Sequence, residues 1–113
     1  MSEDIQIKTR IHEEIVGIAN AMLNGQIHLL EGVRRICDLG AQTDIANNPI
    51  FMQFQAIDSE TDHIPMGQIR ERCAAEYLRR SDQETINYLK EAKGTILQAS
   101  LKIIETLNSN DSA

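Results

Sequence analysis

Apolar residues in this chain recur every three or four positions, and nowhere do they alternate one by one over the length of a strand. A period near 3.6 buries one side of a helix, whereas a half-buried strand needs a period of two and a turn signal at each end. The pattern therefore predicts an all-α fold. Ile11, Ile15, Ile18 and Met22, flanked by Ile7 and Ala19, mark a first helix over residues 5–23, with Asn24-Gly25 as its stop. Leu29, Leu30, Val33, Ile36 and Cys37 mark a second over 26–39, with Gly40 where a left-handed cap would fall. So short a link implies an antiparallel pair.

Residues 41–67 read as a connector, and they contain both prolines. Asn48-Pro49 fits an N-cap followed by proline at the first helical position, and Ile50, Phe51, Phe54 and Ile57 then share one side of a short helix. The polar run Asp58-Ser59-Glu60-Thr61-Asp62-His63 reads as a loop. A third principal helix is expected from Met66 or Gly67 to Arg80, on a narrow stripe of Met66, Ile69, Cys73 and Tyr77. Ser81-Asp82-Gln83-Glu84 has the form of a capping box and predicts a fresh start, with Ile86, Leu89, Ile96, Leu97, Ile103 and Leu107 carrying a fourth helix onward. Residues 108–113 are expected to fray. The expectation is a single domain over 1–113: a compact bundle of four principal helices with a short extra helix in the connector.

Length and charge narrow the function more than they identify it. A chain of 113 residues, 42% hydrophobic, can fill one modest core without metal or disulfides. With 17 acidic and 11 basic side chains the net charge is −6, which repels a phosphate backbone, so no nucleic-acid partner is expected. Apolar runs fall short of a membrane span and the N-terminus lacks the layout of a secretion signal, so a cytoplasmic chain with no membrane partner is expected. The charge is lopsided: residues 1–62 hold ten carboxylates and four cations, while 63–113 hold seven of each. An acidic half suits docking of a basic protein, because complementary potential speeds encounter and rejects wrong partners.

Within that half, Asp58, Glu60 and Asp62 are the candidate contact carboxylates, with Phe51 as an apolar anchor should it be exposed. The same run offers a second possibility, a divalent cation held by Asp58, Glu60, Asp62 and His63 in a metal sensor or metal-dependent enzyme. As a calcium loop it fails, since His63 stands where the turn glycine belongs and Ile69 where the bidentate glutamate belongs. Glu60-x-x-His63 lacks the second copy that di-iron bundles require.

Elsewhere the chemistry-bearing residues read as structural, and neither a catalytic set nor a cofactor is expected. His12 lies at the edge of the first stripe and His28 on the polar side of the second helix; Cys37 and Cys73 fall on apolar stripes as core thiols. Arg70, Arg72, Arg79 and Arg80 spread around their helix, and Glu76 is spaced to pair with Arg72 and Arg80. Lys93 interrupts the fourth stripe, its stem either snorkelling or reaching toward the Asp58 to Asp62 carboxylates. Gly32 and Gly94 are placed to permit close helix contact. With few aromatic side chains to fill the core, a homodimer covering leftover apolar surface is a further expectation.

The segments Gly25-Gln-Ile-His-Leu-Leu-Glu-Gly-Val-Arg-Arg-Ile36 and Ala56-Ile-Asp-Ser-Glu-Thr-Asp-His-Ile-Pro65 resemble a family of uncharacterised small helical proteins encoded by bacteria. In size, acidity and helical pattern the chain is also similar to bacteriocin immunity proteins. That likeness implies a non-enzymatic inhibitor docking a negative surface on a basic toxin, and it carries no residue role.

Overall fold

A computed structural model describes residues 3–111. The described residues form four α-helices: α1 (Glu3–Leu23), α2 (Leu29–Gly40), α3 (Pro49–Thr61) and α4 (Ala75–Asp111). Two 3₁₀ turns, Asp44–Asn47 and Gly67–Arg72, lie in the connections, and no strand occurs among the described residues. The all-α bundle follows from the periodicity. α1 packs on α2 and α4, α2 on α3, and α3 also on α4.

Each helix buries the stripe that its sequence advertises. Ile11, Ile15, Ile18, Ala19 and Met22 of α1 meet Leu30, Val33, Ile36 and Cys37 of α2 in one cluster, which Phe51, Phe54 and Ile57 of α3 complete. The stop after α1 is a Schellman motif, in which Gln26 N–H donates to Ala21 O (2.8 Å) and Gly25 N–H to Met22 O (3.2 Å). Asn48 caps α3 as its position implies, its Oδ1 accepting from Ile50 N–H at 2.8 Å, with Pro49 following.

Gly40 has a different job from the one its position suggests. It sits inside α2 with no positive φ, and a Cβ there would lie 2.0 Å from Cε2 of Phe51. The phenylalanine ring occupies the volume that any side chain would need, so α3 can approach α2 only over a bare backbone. Gly32 likewise admits the Met22 side chain, whereas Gly94 faces open space.

The second half departs from expectation in three ways. Asp58 to Thr61 form the last turn of α3 rather than a loop. Gly67–Arg72 is a 3₁₀ segment with none of its residues buried, and Ile69 is exposed, so the stripe expected for the third helix does not exist as a helix face. Finally, the backbone runs unbroken through Ser81: α4 starts at Ala75 and continues for 37 residues to Asp111, past the end expected at Leu107. The remainder of the expected frayed tail, residues 112 and 113, lies outside the described residues.

Ser81 is buried in mid-helix, and its carbonyl accepts from the Thr85 hydroxyl at 2.9 Å. What changes near that point is the surroundings of α4. Its C-terminal half sends Ile96, Ala99, Ile103 and Leu107 into the core, while its N-terminal half contributes no buried apolar residue. That half packs only the partly buried Tyr88, Leu89 and Ala92 against the core, and polar contacts fasten it further: Arg70 makes a bidentate pair with Asp82 (2.8 and 3.0 Å), and Tyr77 Oη donates to His63 O at 3.3 Å.

Candidate functional site

The carboxylates at the end of α3 are placed by a helix that runs against α2. Arg34, on α2, reaches the C-terminal end of α3 and donates from Nη2 to the carbonyls of Thr61 and Ile64, the latter at 2.6 Å. A cation here satisfies orphan carbonyls and faces the negative end of the helix macrodipole. Its Nε also lies 3.8 Å from Asp58 Oδ1. Thr61 is buried and turns its hydroxyl back onto Ile57 O at 2.8 Å, so a polar side chain enters the interior without an unmet donor.

Asp58 is the most perturbed of these acids. Partial burial holds its carboxyl above the usual range, the nearby charges of Asp38 and Asp62 push the same way, and Arg34 opposes them. Asp38 and Asp62 thus each lie within electrostatic reach of Asp58 on the α2 and α3 side, with the Arg34 guanidinium beside it. Asp62 is exposed and forms the C-cap of α3, and Asp38 is exposed in the last turn of α2. Cys37 senses the same field. Burial, followed by Asp58 and Asp38, pushes its thiol up to about 12, so it stays protonated and free.

The other residues of the polar run point elsewhere. Glu60 accepts from Tyr88 Oη of α4 at 2.7 Å, and burial together with that carboxylate pushes the Tyr88 phenol up to about 12. His63 is exposed, and its Nε2 contacts the Glu84 carboxylate. Asp58, Glu60, Asp62 and His63 therefore engage Arg34, Tyr88, solvent and Glu84 respectively. They do not converge on a common point, and among the described residues no group of three or more His, Cys, Asp or Glu side chains is arranged around a metal position.

Phe51 is corrected outright. It is completely buried beneath α2, so it belongs to the core and offers nothing to a partner. The exposed apolar residue of that stretch is Met52.

Both histidines outside this region also move from their expected places. His28 is the N-cap of α2, its Nδ1 accepting from Leu30 N–H at 3.1 Å. His12 is buried, and its Nε2 has no hydrogen-bond partner among the described residues. Cys73 is only half-buried, and its thiol donates weakly to Ile69 O at 3.5 Å. Among the described residues the ion pairs include neither Glu76 nor Lys93, and Lys93 lines a surface hollow together with Ile27 and Leu29.

Three residues central to this geometry escape a linear reading: Arg34, Asp38 and Tyr88. A signal existed for the first two. Arg34 and Asp38 stand four apart on α2, and Asp58 and Asp62 four apart on α3, the spacing that stacks side chains on one helix face. Nothing near Tyr88 in sequence points to Glu60.

A family model described as a protein of unknown function (DUF2489) matches residues 3–103, which takes in α1 to α3 and most of α4. The chain belongs to that family. Both sequence segments noted for their resemblance, 25–36 and 56–65, fall inside the matched span. Comparison with curated proteins and with solved structures finds no match. No helix among the described residues is long and apolar enough to cross a membrane.

Proposed function

We propose that this protein is a non-enzymatic interaction module that docks a basic protein surface through Asp38, Asp58, Glu60 and Asp62, with inhibition of a toxin in the immunity-protein manner as its concrete form. One observation carries the reading: Asp38 and Asp62 are exposed, take part in no ion pair among the described residues, and each lie within electrostatic reach of the partly buried Asp58. Asp38, Asp58 and Glu60 stand in the last turns of their helices and Asp62 at a C-cap, and neither last turn holds a basic residue. An acid at that end opposes the macrodipole at a cost of about 0.3–1 kcal/mol each, and mutual repulsion adds to it. Such an arrangement makes sense for binding, where a basic partner relieves both terms at once. A cytoplasmic location fits the role.

The test is an affinity capture from the native host with the wild-type protein and the Asp38→Lys/Asp62→Lys variant side by side, followed by calorimetry with each purified partner. The expected result is a basic partner bound by the wild type at least about tenfold more tightly than by the variant, with the gap narrowing at high salt. Since lysine suits a helix C-terminus, the variant should melt no lower than the wild type. A partner that binds both forms equally well defeats the proposal.

A further inference from the structure

Two surface hollows flank the N-terminal half of α4, and they join. One, of about 410 Å³, lies between the connector and α4, where Ile64, Met66 and Glu31 face Asp82 and Ile86. The other, of about 630 Å³, lies between the α1–α2 corner and α4, where Ile27 and Leu29 face Ile86, Leu89 and Lys93. His28 and Ile86 line both, so the hollows form one furrow along α4 from Asp82 to Leu97, about 22 Å at 1.5 Å per residue. Its floor is apolar, and Ile86, at the junction, is 52% exposed.

The charges along the furrow are ordered. Glu31 and Asp82 stand at one end together with Arg70, which pairs with Asp82, so one carboxylate is in excess there; Lys90 and Lys93 stand at the other, and neither lysine takes part in an ion pair among the described residues. At about 100° per residue, Asp82, Ile86, Leu89 and Lys93 fall within about 60° of the helix circumference. They are also symmetric in spacing: Asp82 precedes Ile86 by four residues, and Lys93 follows Leu89 by four.

We infer that the furrow seats a second copy of this chain, forming a two-fold dimer in which the two α4 helices lie antiparallel. A wholly acidic or wholly basic occupant would meet like charge at one end. A copy turned through 180° about a point between Ile86 and Leu89 does not, because Ile86 then meets Leu89 and Asp82 meets Lys93, each pair occurring twice, as an isologous interface requires. Arg70 holds Asp82 on the furrow through its two hydrogen bonds, and the carboxylate remains half-exposed for a further cation. This surface is separate from the Asp38, Asp58 and Asp62 group, and the inference does not rest on the docking role proposed for that group.

Sedimentation equilibrium over a wide concentration range tests it, with helicity of each variant checked by circular dichroism. The wild type should dimerise reversibly, and Ile86→Asp should remain monomeric throughout. Lys93→Glu and Asp82→Lys should each weaken the dimer about tenfold or more, since each sets like charges face to face twice. An equimolar mixture of these two variants should recover a heterodimer near wild-type strength, because every opposed pair then has opposite sign. A wild type that stays monomeric, a dimer indifferent to Ile86→Asp, or a mixture that fails to recover association overturns the inference.

Discussion

Single side chains in this protein are often decided by what lies across from them rather than by their neighbours in sequence. Phe51 and Gly40 make the point: eleven positions apart, they form one fitted contact in which an aromatic ring replaces a side chain. Gly40→Ala should therefore destabilise the fold despite improving helix propensity by about 1 kcal/mol, since displacing a packed ring costs about 1–3 kcal/mol. Urea denaturation should show a lowered midpoint, and pairing the change with Phe51→Leu, which frees volume, should return part of the loss. The helical spacing of Ile50, Phe51, Phe54 and Ile57 makes the burial of Phe51 legible in sequence, but not the bare backbone at Gly40 that receives its ring. Asp58 and Asp62 are legible as a pair from their spacing, whereas the Tyr88 hydroxyl that occupies Glu60 is visible only once α4 is in place.

Helices α1, α2 and α3 can be read from the chain because each has a dense stripe, and α1 and α3 also have a local stop or start in the Schellman turn at Gly25 and in Asn48-Pro49, whereas α2 begins at Leu29, three residues later than expected, because His28 caps it. The second half is harder for a physical reason. Around Ser81 the apolar stripe thins because the helix leaves the core, and a serine followed by glutamate three residues later then imitates a beginning. No glycine or proline stands nearby to break the backbone, so propagation of the helix wins. Ser81→Ala distinguishes the two situations. At a true N-cap it would cost about 1 kcal/mol, whereas in mid-helix it should be neutral or gain a few tenths of a kcal/mol, at about the level of intrinsic propensity, in thermal melts. The 3₁₀ turn at Gly67–Arg72 escaped for the converse reason, since the four apolar residues at helical spacing are divided there: Met66 packs against the core ahead of the turn, Ile69 within it is exposed, Cys73 follows it half-buried and Tyr77 belongs to α4.

At the scale of the whole molecule, one core is shared by four helices, yet it lies toward one end of the longest of them. α4 is as long as the protein itself, at about 55 Å for 37 residues against a longest dimension of 52 Å. Its far portion is held by exposed ion pairs and hydrogen bonds, each individually weak. In the Ile86→Asp variant, where no second copy covers this half, native-state hydrogen exchange should accordingly find amides near residues 75–90 opening well before those near 96–107, in separate cooperative units. Uniform protection along α4 would contradict that division. The two ends of this rod therefore differ in what removing one contact does: at the end set in the core a lost side chain leaves a cavity, whereas at the other a lost hydrogen bond, such as that from Tyr88 to Glu60, is made good by water.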